Sequence, residues 1–278
     1  MRLIDGRAIA AAIAAEVTAA VTELTARGVV PTLAVVVPTG DEATAWYVRS
    51  IERAAARVGI TCRVDTLTDP DGRSIAKHLD ELSADPTVHG IICQTPLPEG
   101  VTLDTVGRHI APAKDVDGAN PVSLGRLVAG LPTYAPATAA AVLEILRREE
   151  ADLAGAHAVV VGRSTVVGKP AALLLLAEHA TVTVCHSRTR DLPRVCADAD
   201  VLVAAVGRAH LVGAEHIKPG AVVIDVGTNP TADGGLAGDV DPDGAQRAGS
   251  LTPVPGGVGP VTTMLLMRHT VQAAAREV

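Results

Sequence analysis

Short β-branched runs alternate with alanine-rich helical patterns along most of this 278-residue chain. "TLAVVVP", "GITCRVDTL" and "GIICQTP" come first, followed by "HAVVVG", "TVTVCHS", "DVLVAAVG" and "AVVIDVG". Continuous apolar runs of this length suit strands covered on both faces, and their alternation with helices calls for parallel sheets. The sequence is therefore read as α/β, with two α/β domains, the second carrying a Rossmann-like parallel sheet. The break falls at "GLPTYAPAT", where Gly130, Pro132 and Pro136 interrupt two helical patterns. This gives a first domain over residues 1–135 and a second over 136–260. The last helical stretch, 261–278, is long enough to pack back across the first domain.

Composition narrows the partners. Aromatic residues make up 1% and phenylalanine is absent, so the core is built from Ala, Val, Leu and Ile. Stacking platforms for single-stranded nucleic acid are not expected from such a chain. A formal net charge of −7, with no dense basic run, also argues against a nucleic-acid partner. Cys62, Cys93, Cys185 and Cys196 show neither CxxC spacing nor histidines at metal-ligand intervals. Reduced core thiols and no metal site are the expectation. No segment is read as the roughly 18 apolar residues of a membrane span, and a soluble cytoplasmic protein is expected.

In "HAVVVGRSTVVGKPAALLLL" a strand enters a turn at Gly162, and a helix is expected from about Val166, with Gly168 in its first turn. Strand, tight turn and helix N-terminus are the parts of a dinucleotide site, because free N–H groups and the helix dipole face the phosphates. Ser164 takes the place of the second glycine, and an ordinary βα turn shares the same spacing. The next strand ends in Ser187, Arg188 and Arg190, where a site preferring NAD carries a carboxylate for the ribose hydroxyls. Serine and arginine can donate to a ribose phosphate instead, so NADP is the expected cofactor. A solvated helix start would carry the same arginines. Glycine-rich strand ends at Gly207 and Gly227, and the segment "LTPVPGGVGPVTT", complete the expected rim.

Six segments taken together, "GIICQTPLP", "KDVDG", "VVGRSTVVGKP", "CHSRT", "IKPGAVVIDVG" and "TPVPGGVGP", resemble the methylenetetrahydrofolate dehydrogenase/cyclohydrolase family over essentially the whole chain. The resemblance implies a homodimer with an NADP-binding domain and a folate cleft between the domains. It implies hydride transfer from methylenetetrahydrofolate to NADP, then hydrolysis of the methenyl product. By the same resemblance Tyr47, Gln94 and Asp117 are the catalytic set, with Tyr47 lining the cleft, Gln94 at the one-carbon centre and Asp117 on the pterin. Gly162, Arg163, Ser164, Gly168, Ser187, Arg188, Gly207 and Gly227 would hold the cofactor, and Pro255, Gly256 and Gly257 would wall the substrate. A carboxylate suits the amino-pyrimidine edge of a pterin, from which it can accept two hydrogen bonds. A turn-capping aspartate in a D-x-D-G loop is the competing role for Asp117.

The chain departs from the family in one half. The family's helix carries a lysine four residues after the tyrosine, on the same face. Here that place is Ile51, and Arg49 and Arg53 lie two residues off, about 200° around the helix. The family's "PCTP" is "PATA" at Pro136 to Ala139, and Ala119 replaces a bulky residue after "KDVDG". An alkyl side chain cannot move a proton, so the cyclohydrolase step is expected to be weak or lost. Two other functions fit a changed cleft: a diverged enzyme for another one-carbon or imine substrate, and a non-catalytic NADP- or folate-binding paralogue.

Overall fold

The computed structural model describes residues 1–40 and 42–277, with the side chains of 42, 43 and 277 left aside. In chain order the elements are β1 (Arg2–Leu3), α1 (Gly6–Ala26), β2 (Thr32–Val37), α2 (Glu42–Val58), β3 (Thr61–Thr66), α3 (Gly72–Ala84), β4 (Gly90–Cys93), α4 (Leu103–Gly107), α5 (Pro121–Val128) and α6 (Ala137–Arg148). They continue with β5 (His157–Val161), α7 (Gly168–Ala177), β6 (Thr181–Cys185), α8 (Leu192–Cys196), β7 (Val201–Ala204), β8 (Val222–Asp225), β9 (Asn229–Pro230), β10 (Leu236–Ala237), β11 (Ser250–Leu251) and α9 (Val258–Ala274).

The chain divides into two compact units. One comprises Ala12–Ala137 with Thr263–Val278, and the other Met1–Ala11 with Thr138–Thr262. The first holds a parallel three-stranded sheet in the order β3-β2-β4. Its core packs Ala34, Val36 and Ile91 from the strands against Ile75, Leu79 and Leu82 of α3. That helix starts cleanly because Asp71 accepts from Ser74 N at 2.7 Å while Ser74 returns a bond to Asp71 N. Asn120 caps α5 with a single bond, its side chain accepting from Val122 N at 2.8 Å, with Pro121 in the first turn. On α2 the inward stripe is Val48, Ile51, Ala55 and Val58.

The second unit carries a parallel six-stranded sheet in the order β1-β11-β8-β7-β5-β6. Strands β5 to β8 are the four apolar runs of the second half, and Val159, Val161, Leu202 and Val223 anchor their core. The sheet also recruits the start of the chain. Arg2 N donates to Gly249 O at 2.9 Å and Ile4 N to Leu251 O at 2.8 Å. Residues 1–11 therefore belong with the later sheet, a correction to a first domain running from residue 1. Gly6 permits the close pass, since a Cβ there would sit 1.9 Å from Gly257 O.

A second correction concerns α1. By length and composition it is apolar enough to cross a membrane, with a mean hydropathy of 1.5 over its best window. Isoleucine, valine and leucine supply more of that hydropathy than the alanines do, and they face inward. The buried residues Ile13, Val17, Val21 and Leu24 form a stripe at helical spacing, and Glu16 and Glu23 interrupt the rest. All four cysteines are unbridged, with Cys93, Cys185 and Cys196 buried and Cys62 half-buried.

Candidate active site

In the second unit the turn after β5 needs its glycines for close approach. Gly162 has φ +133°, and a Cβ on it would lie 2.1 Å from Ala205 O. A Cβ on Gly168 would lie 2.2 Å from Gly162 O, so the first residue of α7 packs directly on the strand end. The helix opens at Gly168, two residues later than expected, because Ser164 builds a turn ahead of it. Its hydroxyl accepts from Val167 N at 3.1 Å and Gly168 N at 3.4 Å. Arg163 and Ser164 are exposed, as are Ser187 and Arg188 at the end of β6. Arg188 N donates to His186 Nδ1 at 3.1 Å, which shapes that loop and leaves the guanidinium outward. The carboxylate nearest in sequence, Asp191, follows on a left-handed backbone at φ 51°. These features fit a dinucleotide with an extra phosphate.

At two further predicted cofactor residues the backbone N–H is bonded within the protein. Gly207 N donates to Asp239 at 3.0 Å, and Gly227 N to Asp225 at 2.9 Å. Their backbone N–H groups are spent on the protein itself. Gly256, with φ +108°, lies beside Arg7, and Gly257 N donates to Pro253 O at 2.8 Å. With Pro255 they form the turn entering α9 within the same unit.

The remaining site residues lie in the first unit. Tyr47 and Ile51 are one turn apart on α2, and Gln94 directly follows β4, tied down by its N–H to Val36 O at 2.9 Å. Gln94 is 7% exposed, and its Nε2 is buried with no hydrogen-bond partner. In the "KDVDG" loop the two aspartates divide the work. Asp115 is fully buried and accepts from Ala119 N at 2.8 Å, Asn120 N at 3.0 Å and the Ser123 hydroxyl. Asp115 is thus the capping aspartate, a role that spacing alone left open for Asp117. Asp117 accepts from Ala137 N at 3.2 Å. Gly118, at φ +65°, lets this loop meet Pro136, whose nitrogen would be 2.6 Å from an added Cβ.

Burial raises the Asp117 carboxyl to about 7; the Ala137 N–H opposes this rise and the charge of Asp115 adds to it. The Tyr47 phenol is pushed well above its ordinary value by burial and then by the charge of Asp117. Phenol and carboxyl therefore share one electrostatic environment. Ile51 is fully buried, and such a side chain contributes about 1.5–3 kcal/mol by leaving water. A cavity of about 500 Å³ between α3 and α4, lined by Arg73, Lys77, Asp80 and His109 among others, contains none of these residues. Among the described residues no group of three His, Cys, Asp or Glu is placed to hold a metal ion.

Two family descriptions cover most of the chain. "Tetrahydrofolate dehydrogenase/cyclohydrolase, catalytic domain" matches residues 4–117, and the NAD(P)-binding domain of the same family matches 136–278. The chain belongs to the tetrahydrofolate dehydrogenase/cyclohydrolase family. Among its relatives, the "Bifunctional protein FolD" of Parafrankia sp. is 66% identical over 276 residues, spanning 99% of each chain. The solved methylenetetrahydrofolate dehydrogenase/cyclohydrolase from Campylobacter jejuni superimposes with a TM-score of 0.97 at 36% identity, over 100% of both chains. The Trypanosoma brucei dehydrogenase-cyclohydrolase, solved with NADP cofactor and inhibitor, gives 0.94 at 38% identity over 99% and 97%.

Proposed function

We propose that the protein oxidises methylenetetrahydrofolate to methenyltetrahydrofolate with NADP as hydride acceptor, and that its cyclohydrolase step is weak or lost. The observations that carry this reading are a buried Gln94 amide nitrogen with no partner in the protein and an alkyl side chain, Ile51, one turn after Tyr47 on α2. NADP, when bound, takes the hydride from the bridging carbon. The chain's own task is to orient the folate and tolerate the cationic product. Asp117 holds the amino-pyrimidine edge, the Gln94 amide faces the one-carbon centre, and Tyr47 lines the ring. None of this requires a base, since positioning alone supports hydride transfer. Water attack on the methenyl carbon does require a proton acceptor, and Ile51 offers none.

Preference for NADP is supported by Arg163, Ser187 and Arg188, all exposed at the strand ends. Homodimer formation is supported by β6, an edge strand with Val184 40% exposed. The net charge of −7 supports a cytoplasmic enzyme without nucleic-acid partners.

The test is a pair of assays on one sample. NADPH absorbance is expected to grow steadily with methylenetetrahydrofolate and NADP, and more slowly with NAD, while methenyltetrahydrofolate decays at the buffer rate. Ile51→Lys is expected to add measurable hydrolysis and to lower stability, because the ammonium must lose its hydration at a sealed position. Hydrolysis well above buffer by the unmodified protein would refute the lost step. No NADPH formation with any folate would favour the paralogue or diverged-substrate alternative.

A further inference from the structure

Two buried carboxylates of the second unit lie outside the roles given so far. Asp239 has no exposure and accepts four hydrogen bonds: from Val206 N at 2.6 Å, Gly207 N at 3.0 Å, Arg208 N at 2.9 Å and Asn229 Nδ2 at 2.9 Å. Three successive backbone N–H groups converging on one anion form a nest. This nest follows β7 at the carboxyl end of the sheet, where open α/β sheets hold their ligands. Asp239 is in turn held by Asp225, the last residue of β8, which is 3% exposed. Asp225 accepts from Gly227 N, Asp239 N and Val240 N, each at 2.9 Å. Two glycines make this possible. A Cβ on Gly227 would lie 2.4 Å from Asp239 N, and one on Gly238 would lie 1.9 Å from the Asp225 carboxylate.

The support therefore runs from β8 through Asp225 to the backbone at 239–240, and from Asp239 to the loop at 206–208. An ionised carboxylate offers about four acceptor sites, and Asp239 uses four. A phosphate reaching this loop would find its N–H groups taken and a negative charge behind them. At the turn after β5 and at the end of β6, by contrast, Arg163, Ser187 and Arg188 stand exposed.

We propose that Asp239 is a positioning residue of the dinucleotide site: it fills the nest at Val206–Arg208, fixes the loop after β7, and confines the cofactor's phosphates to the turn after β5 and the end of β6. The loop after β7 then receives only uncharged parts of the cofactor. This rests on the reading of the unit as an NADP site.

Hydrogen exchange on the unmodified full chain, with and without NADP, tests the proposal directly. Amides 206–208 are expected to exchange slowly without NADP and to change less than twofold with it, while 163–168 slow at least tenfold. Fast exchange at 206–208 that NADP slows tenfold or more would overturn the proposal. In Asp239→Asn, either amide orientation sets an NH₂ against N–H groups. The KM for NADP is expected to rise at least tenfold, with the KM for methylenetetrahydrofolate within twofold. Adding Asn229→Asp restores an amide–carboxylate pair and is expected to recover at least threefold. Equal losses for both substrates, with no recovery in the double variant, would mark Asp239 as general scaffold and refute the assignment. Should Asp239→Asn not fold, the exchange pattern and Asn229→Ala, which deletes one donor of the four, decide. If NADP protects neither segment and gives no calorimetric heat, the cofactor reading itself fails and the proposal falls with it. Protection at the wrong loop sinks the proposal alone.

Discussion

The loops after β7 and β8 and the loop after β4 treat buried polar groups in opposite ways. Around Asp225 and Asp239 every carboxylate oxygen meets an N–H group from the chain, and the glycines are placed to let them meet. At Gln94 a buried amide nitrogen has no partner in the protein. An unpaired buried donor costs about 1–3 kcal/mol, so folding alone gives no reason to keep it. The aspartates close their own hydrogen bonds, whereas the Gln94 amide nitrogen, like the Tyr134 hydroxyl, finds no partner within the protein. Burial, which these residues share, does not distinguish them; the hydrogen-bond capacity left over does.

Four measurements would break or sharpen this contrast. Replacing Asp239 with leucine abandons four N–H groups at once, and stability is expected to fall by upward of about 4 kcal/mol in urea unfolding. A loss under about 1 kcal/mol would mean the loop is held by something else. Gln94→Leu is expected to behave in the opposite sense. Stability stays level or rises by up to about 1 kcal/mol, while dehydrogenase turnover drops by about 10² to 10³. A fold as damaged as that of the Asp239 variant would erase the distinction between the two regions.

The third prediction concerns His269 on α9, whose Nδ1–H donates to Val116 O over 2.8 Å and whose ring packs 5.1 Å from Tyr134. Loss of hydration holds its pKa down at about 4; the Val116 hydrogen bond opposes the shift and Arg268 adds to it. The folded pKa lies below the unfolded value of about 6.5, so this contribution is whole above 6.5 and is lost as pH falls toward 4. The loss approaches about 3 kcal/mol at 1.36 kcal/mol per unit. Asp117 and Asp225, raised to about 7 and about 6, act the other way, adding stability as pH falls through those values. Urea midpoints at several pH values for the unmodified protein and His269→Gln isolate the histidine, and parallel curves would discard it. Smallest is the effect of Asp117. Its carboxylate form dominates only above about 7, so folate affinity is expected to weaken as pH falls below that value. Asp117→Asn is expected to weaken folate binding by about 1.5–3 kcal/mol, flatten its pH dependence and leave NADP affinity unchanged. A pH profile that persists in the variant assigns the titration to another group.

The sequence shows the elements that have a period and hides those that do not. Strands β2, β4, β5, β7 and β8 are short apolar runs, β3 and β6 alternate polar with apolar residues, and the inward stripe Val48, Ile51, Ala55 follows helical spacing. The two-residue strands β1 and β11 are too short to carry an alternation, and their pairing depends on residues far apart in the chain. The division of labour between Asp115 and Asp117 is equally hidden, since both suit a D-x-D-G loop and only the three donors at Asp115 separate them. Asp239 gives no local signal because the nest it fills lies about thirty residues upstream, at Val206–Arg208.

The pairing of Arg2 with Ser250 and of Leu3 with Leu251 also sets a timetable. During synthesis the edge strand of the six-stranded sheet is made before any other strand, yet its neighbour emerges roughly 250 residues later. At about 5–20 residues per second that is a wait of roughly 12–50 s. The four strands β5 to β8 can associate in the meantime, since they pair with one another in sequence order or nearly so. Closure at the β1 edge has to wait for β11, the last strand of this sheet in chain order, so the first residues of the unit are among the last to be fixed.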